Sequence, residues 1–364
     1  MRKPLKIFTF QAKNTRPEKN REVYVMVIGE TSRAANWSIY GYNRNTNPEL
    51  TKIKGLTAFS HVLTESNTTH KSVPMLMSSV TAHDFNSIYR QKGIITAFKE
   101  AGYRTAFFSN QRYNHSFIDF FGKEADICDF IKEDTGDGGY NPSDDELLKL
   151  VAAELAENVS KQFIVLHTYG SHFNYRERYP ADNAFFLPDF PVDAELKYKD
   201  NLINAYDNSI RYTDNFLARL IRMLQEQDID AAMLYTSDHG EDIFDDDRHL
   251  FLHASPVPSY YQIHVPFLIW MSDNYRKNYP DLFKNAEINR QKNISSSASF
   301  FQTMLELGGI DTPSRNDSLS VINASYTEKN RVYLNDHNEA RSLNDIGMRE
   351  EDFTMLQMKG IVYR

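Results

Sequence analysis

Strand-sized apolar runs separated by helical patterns constrain this sequence more than any other feature. Five runs have the length and the β-branched and aromatic content of buried strands: VYVMVIG (23–29), RTAFFS (104–109), FIVLHT (163–168), AAMLYTS (231–237) and VPFLIWM (265–271). Helical patterns lie between them, at 93–102, 143–159 and 197–227. This alternation predicts an α/β fold in which a central, mostly parallel sheet carries helices on both faces.

Length, charge and cysteine content narrow the class of protein. The 364 residues, 41% of them hydrophobic, are enough for one large globular domain, which we place at 23–364 behind a basic connector arm at 1–22. The net charge of -8 argues against nucleic-acid binding, because a phosphate backbone is held by concentrated Lys and Arg. No apolar run approaches the roughly 20 residues of a membrane-spanning helix. The single cysteine, Cys128, excludes an intrachain disulfide.

Metal-ligand side chains follow several of the predicted strands. Glu30 comes after the first strand, His172 follows the third, and Asp238 and His239 follow the fourth, with His253 further along. In open α/β sheets, ligands bind beyond the carboxyl ends of the strands. Carboxylate oxygens and imidazole nitrogens without thiolates suit zinc, with manganese next. The sequence therefore predicts a metal site built from residues far apart in the chain.

Plainer interpretations exist for the same residues. Glu30 alone could cap a helix or form an ion pair, and Asp238-His239 alone could form a hydrogen-bonded turn. His167, inside the third apolar run, is interpreted as a core histidine with satisfied hydrogen bonds. The acidic run at 245–247 is interpreted as a solvated loop, because it lacks the spacing of a calcium-binding loop. A non-catalytic module with structural zinc stays an alternative.

A nucleophile is predicted in the hydroxyl-rich segment TESNTTHKSVPML (64–76). The segment leads into what resembles the start of a helix, and helix N-termini stabilise anions such as phosphate. Thr68, Thr69 and Ser72 are the candidates. Chemistry alone does not choose among them.

Five ordered stretches resemble the phosphoethanolamine transferases of the alkaline phosphatase and sulfatase superfamily. This group includes the lipid A and lipopolysaccharide core enzymes and the mobile colistin-resistance enzymes. The matching stretches are VIGETSRAANWSIYGYNRNTNPEL (27–50), NTTHKSVPML (67–76), VLHTYGSHFNYRERYP (165–180), YTSDHGED (235–242) and LHASP (252–256). They cover most of the chain from Val23 to about Met271.

The resemblance implies a role for each matching position in the metal site. Glu30, Asp238 and His239 are implied to bind one zinc ion together with Thr69, which is the implied nucleophile. His172 and His253 are implied to contact the substrate phosphate or a second zinc ion. Gln111 and His115 are implied to contact the substrate.

The resemblance also implies the reaction and its location. The donor would be phosphatidylethanolamine, and phosphoethanolamine would pass through Thr69 to a lipopolysaccharide acceptor such as a lipid A phosphate, a heptose or a Kdo sugar. The family joins this domain to membrane helices, so we expect the domain to lie at the periplasmic face of the inner membrane, anchored by an N-terminal membrane domain missing from these residues.

Departures from the family pattern leave alternatives open. Many members carry disulfides, which this chain cannot form, and the acidic stretch between His239 and His253 is longer than in the lipid A enzymes. A sulfatase would oxidise Ser72, but that pattern requires Arg where this chain has Leu76. A phosphoglycerol transferase or a phosphodiesterase on the same fold is the other alternative.

Overall fold

A seven-stranded sheet forms the centre of the computed structural model, which describes residues 8–17, 20–132 and 141–363. In chain order the strands are β1 (Glu22–Gly29), β2 (Leu56–Phe59), β3 (Arg104–Ser109), β4 (Ile127–Phe130), β5 (Lys161–His167), β6 (Asp230–Ser237) and β7 (Phe267–Met271). Their spatial order is β2-β7-β6-β1-β5-β3-β4. β7 runs antiparallel to both of its neighbours, and the remaining neighbours pair in parallel. The predicted mostly parallel sheet is confirmed, with β2 and β4 as additional strands.

Helices account for most of the remaining regular structure. They are α1 (Thr69–Leu76), α2 (Ile94–Glu100), α3 (Phe117–Gly122), α4 (Asp145–Ala156), α5 (Lys199–Gln225), α6 (Tyr260–Ile263), α7 (Asp273–Asn278), α8 (Pro280–Asn289), α9 (Ser296–Leu307) and α10 (Glu350–Met358). The three helices predicted from periodicity correspond to α2, α4 and α5. Among the described residues, no helix combines the length and apolarity needed to cross a bilayer.

Short elements connect the main ones. Two-residue or three-residue strands pair as Lys13–Asn14 with Ile310–Asp311, Val62–Leu63 with Ile294–Ser295, Asp242–Ile243 with Phe251–Leu252, and Val332–Leu334 with Ala340–Ser342. Single turns of 3₁₀ helix include Ala34–Asn36, Ser38–Tyr40, Leu50–Lys52, Tyr175–Arg178, Ala181–Asn183, Leu196–Tyr198, Asp317–Leu319 and Leu343–Asp345, and a longer one spans Ala82–Arg90.

Side chains of β1 alternate between two hydrophobic cores. Tyr24, Met26 and Ile28 pack with residues of α1, α2 and α9, whereas the intervening valines pack with residues of α4 and α5. All eight residues of β1 are buried. A strand buried on both sides is apolar throughout, which explains the continuous run in the sequence. The predicted helices on both faces are therefore confirmed.

The N-terminal segment differs from the predicted connector arm. Phe10 is only 1% exposed and belongs to the core, and Lys13–Asn14 pairs with a strand near the end of α9. Arg16 donates hydrogen bonds to the hydroxyl groups of Tyr24 and Tyr275. Residues 8–17 thus pack against the domain, while residues 1–7 and 18–19 of the predicted arm lie outside the described residues.

The register of the parallel strands brings their carboxyl ends level. Ile28 of β1 pairs with His167 of β5, which in turn pairs with Ser109 of β3. On the other side of β1, Gly29 pairs with Ser237 of β6. The residues that follow each strand therefore emerge side by side at one edge of the sheet, as the sequence predicted.

The long loop at 174–193 is fastened to α5 through its backbone. Asn208 accepts hydrogen bonds from the amides of residues 185 and 186, and the side-chain amides of Asn201 and Asn204 donate to carbonyl oxygens of residues 191 and 188. These asparagines lie on one face of the helix because they recur at spacings of three and four. The loop has a fixed course while its apolar side chains, including Phe190, stay exposed.

We expect Phe98→Ala to destabilise the fold strongly. The ring of Phe98 stacks on that of Phe163 with centroids 3.7 Å apart, and both side chains are fully buried. Replacing such a ring should lower the free energy of unfolding by about 3–5 kcal/mol, measured by urea denaturation. Phe190→Ala is the control, because Phe190 is 71% exposed and its loss should change stability by roughly 0.5 kcal/mol or less. Equal losses in the two variants would contradict this account of the core.

Candidate metal centre

Three ligand-type side chains converge beyond the ends of β1 and β6. Glu30, Asp238 and His239 each place one ligand atom within 4.8 Å of the others, and all three are buried. Nε2 of His239 lies 3.2 Å from Oδ2 of Asp238 and 3.5 Å from Oε1 of Glu30. The geometry follows from the parallel pairing of β1 with β6, because the two strands end at the same level.

Backbone contacts hold these side chains in place. The amide of Asp238 donates to the carbonyl oxygen of Gly29, and the amide of Thr31 donates to Oδ1 of Asp238, both at 3.0 Å. The Thr31 hydroxyl also donates to Oε1 of Glu30 at 2.7 Å. Gly240, next to the ligand pair, has no space for a side chain, because a Cβ there would lie 2.1 Å from the carbonyl oxygen of Tyr261.

The three candidate hydroxyl groups make different contacts in the structure. Thr69 is the first residue of α1, and its Oγ1 lies 3.1 and 3.2 Å from the Glu30 carboxylate oxygens and 3.1 Å from Nε2 of His239. Oγ1 of Thr68 instead lies 3.3 Å from Oγ of Ser66. Ser72 donates to the backbone carbonyl oxygen of Asp238 at 2.6 Å. Within the described part of the chain, Thr69 alone of the three presents its hydroxyl to the ligand cluster.

Burial and mutual charge set the protonation of the cluster. Burial opposes ionisation of Glu30, but the nearby His239 and His172 outweigh it and lower the pKa of Glu30 to about 2. Burial and the charge on Glu30 together raise the pKa of Asp238 well above its ordinary value. Burial, reinforced by His253, lowers the pKa of His239 to about 3, so this imidazole is neutral.

The neutral His239 is oriented as a metal ligand. Its Nδ1 lies 2.9 Å from the carbonyl oxygen of Gly240. A carbonyl oxygen only accepts hydrogen bonds, so Nδ1 carries the proton and the lone pair of Nε2 faces Thr69 and Glu30. A backbone carbonyl behind the distal nitrogen is a common way of fixing the tautomer of a metal-binding histidine.

The cluster fits a divalent cation. Oδ2 of Asp238 is buried and has no hydrogen-bond partner among the described residues. An unpartnered buried carboxylate oxygen beside the ionised Glu30 is costly unless a positive charge compensates it. Two carboxylates, one imidazole nitrogen and a hydroxyl oxygen form a donor set suited to zinc or a similar metal. The residues present therefore fit a bound metal ion.

His172 and His253 lie beside the cluster. The ring centroid of His253 is 4.3 Å from that of His239 and 6.2 Å from that of His172. Nδ1 of His253 lies 3.3 Å from Oε2 of Glu241, whose Oε1 accepts a hydrogen bond from the hydroxyl of Tyr175. Burial opposes protonation of His253, but the hydrogen bond and charge of Glu241 outweigh it and raise the pKa of this histidine.

The contacts of Glu241 with His253 and Tyr175 were not predicted from the sequence. Glu241 follows directly after the Asp-His-Gly segment, and this position was a usable signal, because a histidine near a metal site is usually oriented by a carboxylate or carbonyl group. Tyr175 lies eight residues beyond the end of β5, and nothing in the sequence indicated that it would reach Glu241.

Gln111 and His115 lie in different surroundings in the structure. Nε2 of Gln111 donates to Oε2 of Glu30 at 2.8 Å and lies 3.0 Å from Nε2 of His167. His167 is buried with its pKa lowered by burial to about 4, as expected of a core histidine. His115 is exposed, and its ring contacts that of Tyr113 at 4.6 Å. In the ranges that the structure describes, no hydrogen bond or ring contact joins His115 to the cluster.

The acidic run at 245–247 is not the simple solvated loop that the sequence suggested. Oδ2 of Asp245 lies 2.7 Å from Nη1 of the buried Arg33 and accepts a hydrogen bond from the amide of Ile243. Arg33 also donates to the carbonyl oxygen of Glu241 at 3.0 Å. A buried guanidinium needs a carboxylate partner, so Asp245 braces the segment that follows the ligand pair.

Comparison with known proteins places the chain in a family. The model of the family described as sulfatase matches residues 22–310. The chain belongs to the sulfatase family. This sulfatase-family chain is 32% identical over 297 residues to the Kdo(2)-lipid A phosphoethanolamine 7''-transferase of Escherichia coli, a match that covers 80% of the chain and 51% of the relative. The chain therefore spans about half the length of the curated relatives it matches.

Two solved structures show the same fold. The C-terminal periplasmic domain of EptC from Escherichia coli in complex with zinc has a TM-score of 0.82 at 23% identity, covering 92% of this chain and 96% of that one. The integral membrane protein lipooligosaccharide phosphoethanolamine transferase A from Neisseria meningitidis has a TM-score of 0.77 at 25% identity, covering 86% of this chain and 60% of that one. These matches confirm the alkaline phosphatase and sulfatase-like fold expected from the sequence.

We expect zinc to stabilise this sulfatase-family chain through Asp238. A ligand at about 1,000 times its dissociation constant stabilises the folded state by about 4 kcal/mol, so zinc should raise the melting temperature in calorimetry and a chelator should reverse the rise. Asp238→Asn should abolish most of the rise without destabilising the metal-free chain, because it keeps the Oδ1 acceptor of the Thr31 amide and replaces only Oδ2, which has no hydrogen-bond partner among the described residues. Asp317→Asn, at an exposed ion pair with Arg315, is the control and should retain the full rise. A full zinc response in Asp238→Asn would contradict the assignment of the ligands.

Proposed function

We propose that this chain is the catalytic domain of a zinc-dependent phosphoethanolamine transferase. The observation that carries the proposal is the position of the Thr69 hydroxyl, which lies within 3.2 Å of both Glu30 and His239 at the first residue of a helix. A hydroxyl in contact with a ligand cluster and a helix N-terminus is suited to attack a phosphorus atom. The transferase named among the relatives supports phosphoethanolamine as the group transferred.

The residues that would hold zinc are Glu30, Thr69, Asp238 and His239. When bound, zinc would lower the pKa of the Thr69 hydroxyl and neutralise phosphoryl charge. The choice of zinc is supported by the donor set and by the name of the EptC structure, which describes a zinc complex. We propose one tightly bound zinc ion. A second ion would bind near His172 and His253, whose rings lie close to the cluster.

The chain's own residues supply attack and protonation. The Thr69 hydroxyl loses its proton to solvent, and its Oγ1 attacks the phosphorus of phosphatidylethanolamine. The bond to the glycerol oxygen breaks, and phosphoethanolamine stays on Thr69 while diacylglycerol leaves. His253, held by Glu241 in a setting that favours its protonated form, is placed to give the leaving oxygen its proton. Among the described residues, the side chain of Thr68 makes no capping hydrogen bond to the first turn of α1, so amide groups at this helix N-terminus would be available to the transferred phosphoryl group. An acceptor hydroxyl or phosphate then takes the group from Thr69.

The relatives support the proposed acceptor and location. The relative from Escherichia coli is named for transfer to Kdo(2)-lipid A, which supports a lipopolysaccharide acceptor, either a core sugar or lipid A. The structure from Neisseria meningitidis is that of an integral membrane protein, of which this chain covers 60%. We therefore propose that the domain works at the periplasmic face of the inner membrane, next to an N-terminal membrane domain.

We expect Thr69→Ala to lose transfer activity by about 10⁴-fold, because loss of a covalent nucleophile is rarely compensated. The measurement is release of diacylglycerol from phosphatidylethanolamine, together with mass spectrometry of the peptide that contains Thr69 for a phosphoethanolamine adduct. Thr68→Ala is the matched control. Its hydroxyl contacts Ser66 rather than the cluster, so activity should stay within a few-fold of the unmodified chain.

Several results would argue against this function. An adduct on Thr68, or unchanged activity in Thr69→Ala, would place the nucleophile elsewhere. An aldehyde at Ser72 would support a sulfatase instead, although Ser72 is fully buried and bonded to a backbone carbonyl oxygen. Faster turnover of phosphatidylglycerol than of phosphatidylethanolamine would favour a phosphoglycerol transferase on the same fold.

A further inference from the structure

An aromatic hollow lies beside the loop that follows β3. Its lining consists of Ile88, Tyr89, Gln91, His115, Ser116, Phe117 and Phe120, and its volume is about 400 Å³. The ring of Tyr89 meets that of Phe117 edge to face at 5.2 Å, while Tyr89 is 70% and Phe120 is 49% exposed. Small-molecule sites are commonly concave, mainly apolar and edged by a few polar groups, and this hollow has that composition.

Positive charge lies at the rim of the aromatic hollow. The ammonium group of Lys92 sits 4.9 Å from the ring centroid of Phe120, which lines the hollow. None of the lining residues is a carboxylate. The carboxylates of neighbouring segments are bonded to backbone amides, as shown by Asp84, Asp119 and Glu124. An apolar floor with a cation at the rim is complementary to an acyl chain whose ester carbonyl oxygen faces the cation.

The loop at 111–116 connects the aromatic hollow to the candidate metal centre. Gln111 donates to Glu30, whereas His115, four residues later, lines the hollow. Four residues span at most about 14 Å even when fully extended. An acyl chain of a bilayer lipid is about 15 Å long, half of the roughly 30 Å hydrocarbon core. One phospholipid with its phosphate at Thr69 could therefore reach the hollow with an acyl chain.

We propose that the aromatic hollow binds an acyl chain of the phospholipid donor. The identity of the donor rests on the proposed function, but the occupant is argued from the lining, the rim charge and the reach of the loop. His115 then has a place in substrate binding that differs from a contact with the phosphate, because it borders the apolar part of the donor. Binding there holds the glycerol end of the lipid while Thr69 attacks the phosphorus.

The test compares donors that share a headgroup and differ in chain length. The zinc-loaded chain is assayed with glycerophosphoethanolamine and with dihexanoyl and dioctanoyl phosphatidylethanolamine, all monomeric in solution. For the unmodified chain, kcat/KM should rise with chain length. In Phe120→Ser and Tyr89→Ser the value for the dioctanoyl donor should fall about tenfold, through loss of buried apolar contact, while the value for glycerophosphoethanolamine stays unchanged. A retained chain-length dependence in both variants would overturn the proposal.

Phe190→Ser is the matched control, because Phe190 is an exposed phenylalanine on another loop. It should keep the chain-length dependence, and an equal loss in this variant would overturn the assignment to the hollow. Zinc-induced stabilisation of each variant checks that it folds.

A second arm separates failure of this proposal from failure of the proposed function. Dihexanoyl phosphatidylcholine is titrated into the metal-free chain and followed by NMR, which requires no turnover. Resonances of residues 88–91 and 115–120 should shift, and Phe120→Ser should weaken the binding. If no donor is turned over but these shifts occur, the function fails while the hollow stands as an acyl site. Shifts confined to other regions would refute it.

Discussion

Two buried carboxylates at the ends of adjacent parallel strands determine much of this structure. Glu30 and Asp238 sit on neighbouring strands whose register fixes their separation. Hydrogen bonds from Thr31 and Gln111 offset part of the cost of burying them, but Oδ2 of Asp238 has no hydrogen-bond partner within residues 8–17, 20–132 and 141–363. Both carboxylates can be ionised together in a low-dielectric setting only when a cation lies nearby, and without one the raised pKa of Asp238 keeps this residue protonated. The arrangement is therefore stable as a whole when a metal ion supplies that charge.

Side chains next to the predicted metal ligands orient the neighbouring residues and loops. Glu241 follows the ligand pair and contacts both His253 and Tyr175, so the orientation of one histidine depends on a tyrosine from the long loop. Arg33 is buried between the carbonyl oxygen of Glu241 and the carboxylate of Asp245. The acidic stretch therefore has a structural role. Its Asp245 carboxylate neutralises Arg33, whose guanidinium holds the backbone carbonyl of Glu241. His253, beyond this stretch, lies beside the cluster, with its ring centroid 4.3 Å from that of His239.

The sequence predicted the features that depend on hydrophobic pattern and on strand ends. The long strands were recognisable because burial on both faces makes them continuously apolar, and a mostly parallel sheet brings the residues after them to one edge. The edge strands Leu56–Phe59 and Ile127–Phe130 were missed, because they are short and partly exposed. The choice between Thr68 and Thr69 needed coordinates, since adjacent hydroxyls differ only in direction. The position of His115 also needed coordinates: its left-handed conformation, with φ of 61°, in a short loop carries it to the aromatic hollow and not to the cluster that Gln111 reaches.

The loop after β3 couples the two parts of the proposed site. Gln111, at the start of the loop, donates a hydrogen bond to Glu30, and His115 and Ser116, at its end, line the aromatic hollow. Because β3 pairs with β5 up to Ser109 and His167, the origin of the loop is fixed by the sheet. The far end is fixed at the start of α3, where the Asp119 carboxylate accepts hydrogen bonds from the amides of Asn114 and Ser116. A short segment anchored at both ends holds its separation constant, so the distance from the attacking hydroxyl to the apolar hollow is set by the fold and not by a flexible linker.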